Sequence, residues 1–559
     1  MRLAGNPNEN VTRNCKIITI SDSYPSRLYP GPHGADNQQH SILFSFAVLT
    51  TRPRVTLGLI SIMFTDGDWV TWAVAGFVLV LIYLIRVNQQ LSGTPEEVRR
   101  LAGPRWTPEL LKETYAKLQQ HPIDYTHKLP PKLDRRYVIT GGSGLVGGYL
   151  VLQLLARGTP PAHIRILDIR RTERSDMQSG PALDVDFVQT DITSRASVDA
   201  EFARPWPKSA AKLPLSVFHT AAVILAADRS AHSYAFPESV NVKGTANLLA
   251  AAKAAGASVF SATSSASICI RAVGTWTAPW AREPKDFFQV LDTRDFKLPL
   301  RERSEYFGNY PASKAVAERL VCDADEQGFR TGAIRPANGV YGNPTDNTVG
   351  DPLSRAVMPT WVNHIVQSFV HGANVAIAHL HHEAALVRSS ASSYSGRPFV
   401  VTDPNPPISY SDLYAVIRVL SCHSFTTLSL PPVLMLVVSH IIEFYSDLPF
   451  LPLPFSIFGK LLPPLQGDVR HLKPGLFSIT THLIASNSEI SKPLSEGGLG
   501  YQGVMTTLEG MVLEVLEWNR EHEHLGEGER TKTRKAYTTS VSLAETIRKM
   551  ATVGPQVPA

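Results

Sequence analysis

The sequence predicts an α/β fold in which helices cover both faces of a doubly wound parallel sheet. Strand-like and helical segments alternate from Arg136 to about Glu521, and a glycine-rich turn joins the first strand to the first helix. A third observation, the charge-free apolar run Trp69–Ile85, predicts one transmembrane helix ahead of the sheet. The predicted fold class is therefore a parallel-sheet protein with a membrane anchor and a smaller C-terminal part.

These patterns divide the 559 residues into six segments. The N-terminal segment is polar and rich in Asn, Ser and Pro, which predicts disorder. The last segment is a polar tail with one short helix predicted at Ser542–Met550. The predicted segments are 1–68 (disordered), 69–86 (transmembrane helix), 87–133 (connector, with a helix at Pro108–Gln120), 134–345 (sheet core), 346–521 (C-terminal part) and 522–559 (tail).

Composition excludes several classes of protein. A net charge of +5 without a basic run argues against nucleic-acid binding. The four cysteines are scattered, which is typical of a reducing compartment and indicates neither a disulfide framework nor a zinc site; they are Cys15, Cys269, Cys322 and Cys422. Four histidines lack acidic or cysteine partners at ligand spacing, so we interpret them as helix-face residues instead of metal ligands; they are His371, His379, His381 and His382.

The run Trp69–Ile85 is just long enough for a bilayer core, which needs about 17 apolar residues at the least. Trp69 and Trp72 near one end and Tyr83 near the other suit the two interfaces. A buried core helix is the alternative interpretation. Basic residues after the run, beginning with Arg86, place the C-terminal part in the cytosol by the positive-inside rule.

A second apolar segment, Leu428–Leu465, is rich in proline. Its helical part, Val433–Phe444, is too short to cross a bilayer. The segment fits either a wall of a hydrophobic substrate pocket or a patch that dips into one leaflet, and we favour both roles together.

The glycine-rich turn follows the β-branched run Arg136–Ile139 and reads TGGSGLVGG before the helical segment Tyr149–Arg157. Glycine permits a tight turn at Gly141, close approach of a pyrophosphate at Gly144 and close helix–strand packing at Gly147. The helix N-terminus adds unpaired N–H groups and a positive dipole end. The segment predicts a dinucleotide-binding unit of the Rossmann type.

Asp168 ends the next predicted strand, Ile164–Leu167, where such units place the acid that binds the adenosine ribose. A carboxylate there accepts a hydrogen bond from the 2′-hydroxyl and repels a 2′-phosphate, so we predict NAD as the cofactor. Arg170 and Arg171 follow and leave NADP open. An ordinary strand-end turn residue is the alternative for Asp168. Two later strand ends add the predicted cofactor residues Asp191, Ile192, Thr220, Ala221 and Ala222.

Hydroxyl, phenol and ammonium groups are predicted to meet near the cofactor. Strand Ser258–Thr263 ends in Ser264 and Ser265, at the sheet edge where ligands bind. Tyr310 and Lys314 in YPASK lie four residues apart on one helix face. A lysine ammonium beside a phenol of pKa about 10 stabilises the phenolate, which gives a general base for a hydroxyl proton. The alternative is a pair of surface helix residues.

With these residues in this order, the chain resembles the extended short-chain dehydrogenase/reductases. Within them it is most similar to the 3β-hydroxysteroid dehydrogenase/isomerase family, which includes decarboxylating sterol-4α-carboxylate 3-dehydrogenases. The matching segments, from about Arg135 to Glu521, are TGGSGLVGG, VFHTAA, NVKGTANLL, TSSAS, YPASK, RPANGVYG and LGYQ.

The resemblance implies a role for each matching residue. Tyr310 would be the base, and Lys314 would lower its pKa and bind the nicotinamide ribose. Ser265 would orient the substrate hydroxyl, with Ser264 as the alternative, and Asn241 would join a proton relay behind the lysine. The chain departs from the family in a longer stretch between Ser265 and Tyr310, in GNPTD after Tyr341, and in Ala373 where an acid is common.

The implied activity is NAD(P)-dependent oxidation of a 3β-hydroxyl on a sterol- or triterpenoid-like molecule, with loss of a C-4 carboxylate as CO2 in sterol biosynthesis or terpenoid tailoring. The implied location is the endoplasmic reticulum membrane, single-pass, with the catalytic part in the cytosol, and a homodimer is compatible with the sequence. Two alternatives stay open: an NADP-dependent carbonyl reductase or epimerase of the same fold, and a non-catalytic nucleotide-sensing membrane scaffold. Asp168 argues against the first, and the joint presence of Ser265, Tyr310 and Lys314 against the second.

Overall fold

The computed structural model describes residues 69–225, 227–344, 346–388 and 393–525. The predicted disordered region, the predicted helix at Ser542–Met550 and nearly all of the polar tail lie outside these residues.

The described strands begin at the predicted first strand and extend almost to the last helix. They are β1 Arg136–Thr140, β2 Ile164–Asp168, β3 Asp186–Gln189, β4 Leu215–His219, β5 Ala257–Thr263, β6 Phe288–Leu291, β7 Arg330–Pro336, β8 Val340–Tyr341, β9 Val357–Thr360, β10 Val366–Gln367, β11 Val370–His371, β12 Pro398–Val401, β13 Ile408–Ser409, β14 Thr426–Ser429 and β15 His482–Ala485.

The helices alternate with the strands from β1 onward and are preceded by three further helices. They are α1 Trp69–Leu91, α2 Glu96–Leu101, α3 Pro108–Gln120, α4 Leu145–Ala156, α5 Arg195–Ala203, α6 Ala235–Pro237, α7 Gly244–Ala254, α8 Asn309–Asp323, α9 Gly350–Leu353, α10 Gly372–Leu386, α11 Tyr410–Leu420, α12 Pro432–Asp447, α13 Phe455–Leu461, α14 Leu476–Ile479, α15 Ser488–Ser491 and α16 Thr507–His522.

The central sheet has seven parallel strands in the order β12-β7-β5-β4-β1-β2-β3. β1 pairs with β2 on one side and with β4 on the other. Strands are therefore added to one side of β1 up to β3 and to its other side from β4 onward, so the strand order reverses at β1. In such sheets ligands bind at the carboxyl ends of the strands on either side of this switch point. The predicted doubly wound Rossmann-type fold is confirmed.

The central sheet takes its edge strand from the predicted C-terminal part. β12 is buried and pairs with β7, and α10 packs on α4 and β7. Conversely β6, from the predicted core, joins β13, β10 and β15 in a smaller sheet. The division predicted at residue 345 therefore cuts through one sheet, because a short buried apolar strand such as β12 completes whichever sheet edge would otherwise be exposed.

α1 is one continuous helix whose first two-thirds present apolar side chains to the outside, for example Phe77 and Leu79, at 69% and 66% exposure. Its last turns are packed on the body: Val87 and Leu91 are buried with Leu436 of α12. The predicted connector 87–133 is likewise part of the body, because α3 packs against α11 and α16.

Among the described residues, two helical stretches are long and apolar enough to cross a membrane, Trp69–Leu101 and Pro432–Phe450. The second is longer than the helix predicted at Val433–Phe444 because a 3₁₀ turn extends α12. One face of α12 is tied to the body, since Glu443 accepts two hydrogen bonds from the Arg229 guanidinium at 2.6 and 2.7 Å. A charged face bonded to the body is typical of a helix that lies along the protein, so α12 is not expected to cross a bilayer.

Candidate active site

The glycine-rich turn lies at the carboxyl end of β1 and needs two of its glycines for steric reasons. Gly141 has φ +71°, and a Cβ there would lie 2.6 Å from the backbone nitrogen of Ala221. A Cβ on Gly147 would overlap the carbonyl oxygen of Gly141. A Cβ on Gly144 would lie 3.2 Å from the same oxygen, so this position is tight but not closed. The backbone here is therefore shaped to approach a ligand closely, and its residues fit a dinucleotide.

Asp168 faces this turn from the end of β2. Its carboxylate accepts hydrogen bonds from the backbone N–H of Ser143 at 3.1 Å and of Ile169 at 2.7 Å. Burial raises the pKa of Asp168, and these bonds oppose the rise. The carboxylate is thus held beside the turn, where the second strand of a dinucleotide-binding unit presents its acid.

The other predicted cofactor residues lie on neighbouring strand ends. The Asp191 carboxylate accepts from the backbone N–H of Thr193 at 2.9 Å, and Ile192 packs where a Cβ on Gly244 would touch it at 2.9 Å. The Thr220 hydroxyl donates to the carbonyl of Thr140 at 2.8 Å, which locks the end of β4 to the end of β1. Ala221 and Ala222 continue the same loop, with Ala222 exposed.

A buried histidine that the sequence analysis did not single out connects these loops. His219 Nδ1 lies 2.8 Å from the Thr140 hydroxyl, and its Nε2 lies 2.9 Å from the Thr245 hydroxyl. Burial lowers the pKa of His219 to about 3, so the ring is neutral. The Thr245 hydroxyl donates to the carbonyl of Asn241 at 2.6 Å. A chain of hydrogen bonds therefore runs from the glycine-rich turn to the helix that carries Asn241.

The structure brings Tyr310 and Ser265 together. Burial raises the pKa of Tyr310 to about 12, and the Ser265 hydroxyl is close enough to oppose the rise. The Ser264 hydroxyl instead donates to Glu318 at 2.5 Å, inside the protein. Of the two serines left open by the sequence, Ser265 is therefore the one beside the phenol.

Lys314 lies buried one helical turn beyond Tyr310. Its ammonium donates to the carbonyl of Thr263 at 2.6 Å, and burial lowers its pKa to about 8. The expected lowering of the Tyr310 pKa by the lysine does not appear in this arrangement, where burial and Ser265 are the groups that shift it. The role assigned to Lys314 stays a prediction.

Asn241 lies within the π-helical stretch Glu238–Lys243, which joins α6 and α7 into one helix. Its amide donates to the Ser313 hydroxyl at 2.9 Å and to the carbonyl of Val223 at 3.0 Å. Asn241 thus contacts the residue next to Lys314 and the loop after β4. π-Helical segments of this kind often occur at functional sites.

The histidine cluster is more buried than predicted. His379 and His382 both lie 2.8 Å from the Ser261 hydroxyl, and His371 accepts a hydrogen bond at the start of α10. As predicted, His379, His381 and His382 lie on a helix, α10, and the faces that carry His379 and His382 are turned to the core, where the rings contact a hydroxyl group. Among the described residues there is no cluster of His, Cys, Asp and Glu suited to a metal.

A cavity of about 580 Å³ lies between the loop after β4 and the segment from α12 to α13. Its lining includes Ile224 and Leu225 on one side and Tyr445 and Leu462 on the other. The loop also reaches the site, because the carbonyl of Asp228 accepts from the backbone N–H of Asn309, the residue before Tyr310, at 2.7 Å. The cavity is therefore next to the start of the helix that carries Tyr310 and Lys314.

Fold and site together define a dinucleotide-binding α/β protein with a serine, tyrosine and lysine set at the sheet edge. Residues 138–422, just over half of the chain, match the 3-beta hydroxysteroid dehydrogenase/isomerase family, and the chain belongs to that family. The family resemblance inferred from the motifs is confirmed.

Two relatives illustrate the likeness. The chain is 31% identical over 261 residues to a 3 beta-hydroxysteroid dehydrogenase/Delta 5-->4-isomerase of Mycobacterium tuberculosis, covering 44% of this chain and 60% of the relative. It is 29% identical over 286 residues to the human sterol-4-alpha-carboxylate 3-dehydrogenase, decarboxylating, covering 49% and 63%. The match thus spans less than two thirds of these relatives. Among solved structures, the UDP-glucose 4-epimerase of Thermotoga maritima aligns with TM-score 0.45 and 16% identity, over 70% of this chain and all of that one.

Proposed function

We propose that this protein is an NAD-dependent dehydrogenase that oxidises a 3β-hydroxyl on a sterol-like molecule. The observation that carries the proposal is the buried Tyr310 phenol close to Ser265, with Lys314 one helical turn away and the glycine-rich turn at the neighbouring strand end. A scaffold that only senses nucleotide has no need of this buried set. Family membership supports the same activity.

The chain's own residues would handle the hydroxyl proton. Ser265 donates a hydrogen bond to the substrate oxygen, and Tyr310 as phenolate accepts the proton from that oxygen. NAD, when bound, would supply the acceptor for the hydride that leaves the carbon bearing this oxygen. Lys314 supplies positive charge that favours the phenolate over the phenol, against the burial that raises the Tyr310 pKa to about 12.

We infer NAD instead of NADP from Asp168. Its carboxylate, already held by two backbone N–H groups, would accept from the ribose hydroxyls and repel a 2′-phosphate. The nearby cations are engaged elsewhere: Arg170 pairs with Glu173 at 3.7 Å, and the Arg171 guanidinium lies over the Phe187 ring at 4.7 Å.

The substrate would reach the site from a membrane. Residues 432–465, called the apolar hairpin below, line the cavity on one side and expose apolar side chains on the other, such as Phe458 at 61% and Leu461 at 77%. α1 would cross the bilayer as a single span, with the catalytic part on the cytosolic face of the endoplasmic reticulum. A sterol dissolved in the leaflet would pass the hairpin into the cavity.

The test is absorbance at the reduced-nicotinamide band, with membranes that contain the full chain. A 3β-hydroxysterol with and without a 4-carboxylate is supplied with NAD or NADP. We expect reduction with NAD, and release of CO2 only from the carboxylated sterol. Asp168→Ser should weaken NAD use about tenfold and improve NADP use, because the repelling charge is gone. Absence of turnover with every combination, despite demonstrated NAD binding, would refute the sterol assignment.

The relatives' names leave a second question, whether oxidation is coupled to decarboxylation. One relative is named as a decarboxylating dehydrogenase and another as a dehydrogenase/isomerase. Decarboxylation needs no further catalytic group once a ketone stands β to a carboxylate. We therefore propose the decarboxylating reaction as the simpler extension of the same site.

A further inference from the structure

A buried ion pair lies directly behind the predicted catalytic residues. Arg335, at the end of β7, donates from Nε to Glu318 at 2.8 Å and from Nη2 to the other carboxylate oxygen at 2.6 Å. The two residues are 1% and 4% exposed. Bidentate pairs of this geometry fix both partners in orientation as well as in distance.

Glu318 is also connected to two residues of the site. It lies on α8 four residues after Lys314, so the two side chains share a helix face, and its negative charge favours the lysine ammonium. The same carboxylate accepts the Ser264 hydroxyl at 2.5 Å, which fixes the strand end next to Ser265. The Glu318 carboxylate therefore bonds the strand end next to Ser265, the predicted donor, and shares a helix with Lys314, the predicted cation.

The other groups around Lys314 do not supply this charge. His219 on β4 and His379 on α10 both sense the lysine, and burial lowers the pKa of each far enough to keep it neutral. Tyr310 on the same helix is neutral as a phenol. Asp295 pairs with the far side of Arg335 at 2.7 Å.

We propose that Glu318, held by Arg335, is a positioning residue that keeps Lys314 protonated and holds the Ser264–Ser265 turn against Tyr310. The inference rests on the proposed dehydrogenase function. Glu318 acts through Lys314 and Ser264 and does not itself touch the substrate.

The first test is the pH profile of kcat for Glu318→Gln. Without the carboxylate, and with Arg335 still positive nearby, Lys314 loses its proton at lower pH. The alkaline limb should therefore move down by about one pH unit. Asp325→Asn is the matched control. Asp325 follows the same helix and pairs with Arg330 of the same strand at 3.1 Å, and it has no bond to the site. Its alkaline limb should stay in place.

A double variant guards against loss of folding. Glu318→Gln with Arg335→Met removes both charges of the buried pair, a change that proteins often tolerate when the volume is kept. We expect the same direction of shift, smaller because the uncompensated guanidinium is absent. A lower kcat with an unmoved alkaline limb in both variants would mean a purely structural role and would overturn the proposal.

A second readout does not depend on turnover. Nuclear magnetic resonance of the full chain in detergent, labelled at the lysine ε-carbons and recorded across pH, reports the protonation of lysines, buried ones included. The Lys314 midpoint should fall in Glu318→Gln and stay in place in Asp325→Asn. A shifted midpoint in a protein without turnover refutes the dehydrogenase proposal alone. Turnover with an unshifted midpoint and limb refutes the positioning role alone.

Discussion

The sheet edge and the apolar hairpin follow opposite rules. At the edge, chemically reactive side chains are buried: Lys314 is bonded to a backbone carbonyl, Ser264 is bonded to Glu318, and Tyr310 lies close to Ser265. In the hairpin, apolar side chains such as Phe458 and Leu461 are exposed. In the proposed function, chemistry would depend on desolvated polar groups, whereas contact with the membrane that holds the substrate would depend on exposed apolar groups.

Removing the phenol oxygen should break the edge most severely. Tyr310→Phe removes the predicted base, so we expect kcat to fall by roughly 10²- to 10⁴-fold, the range of general base catalysis. NAD binding, measured by fluorescence quenching, should change little. Tyr306→Phe, at a buried phenol nearby whose ring lies under the Arg301 guanidinium, should keep nearly full activity. A Tyr310→Phe enzyme with more than a tenth of the normal rate would contradict the assignment.

The cost of burying Lys314 gives a pH test. Its folded pKa of about 8 lies below the usual 10.5, so the unfolded chain binds the proton more tightly. Stability of the normal protein should therefore rise with pH above 8, by about 2 kcal/mol up to pH 9.5, relative to Lys314→Met. Denaturant unfolding of both proteins at several pH values measures this difference. A difference between the two proteins that stays flat across this pH range would refute the linkage.

Two glycine variants should separate the effect of a steric clash in the turn that approaches the ligand from the effect of lost backbone freedom. Gly147→Ala places a Cβ against the Gly141 carbonyl, so we expect about 1–3 kcal/mol of destabilisation and at least tenfold weaker NAD binding. Gly158→Ala instead meets a positive φ, of +85°, in open space. It should cost about 1 kcal/mol and leave NAD affinity unchanged. Equal effects of the two variants on NAD affinity would contradict the steric account.

The hairpin should give the smallest and most selective effect. Phe458→Ser with Leu461→Ser should lower kcat/KM several-fold for a sterol supplied in vesicles, because exposed apolar area that would enter the leaflet is lost. A water-soluble alcohol should be oxidised at the normal rate. Leu183→Ser, at a side chain with 66% exposure outside the hairpin, is the control. Equal loss for both substrates would place the defect in the fold instead of in delivery.

Sequence reasoning was strongest where spacing is local. The glycines, the end of β2 and the Tyr310–Lys314 interval each concern residues within one turn or one strand–helix unit. The strands predicted at β1, β2 and β5 were each found within one residue. It missed what depends on distant parts meeting: β12 completing the central sheet, His219 joining two loops, and Glu318 paired with Arg335. Only Glu318 left a signal, since it follows Lys314 at helical spacing.

The hairpin was predicted from composition alone, and composition could not choose between a pocket wall and a membrane patch. Tertiary structure supports the joint role because α12 uses Glu443 to bind the body and turns other side chains outward. The face of α12 that binds the body mixes apolar Leu436 and Ile442 with polar Ser439 and Glu443, so hydrophobicity alone did not mark it.

The end of α1 is fastened to the body by several bonds. The Tyr83 hydroxyl and the Arg86 guanidinium donate to backbone carbonyls in the loop Thr277–Ala281, and Val433 of α12 donates to Asn88. With α1 in a bilayer, these bonds would attach the body rigidly to the helix instead of through a flexible linker. The cavity would then keep a fixed height and tilt above the lipid. Encounter with substrate would then become a search in two dimensions, governed by molecules per unit area of leaflet instead of by their concentration in water.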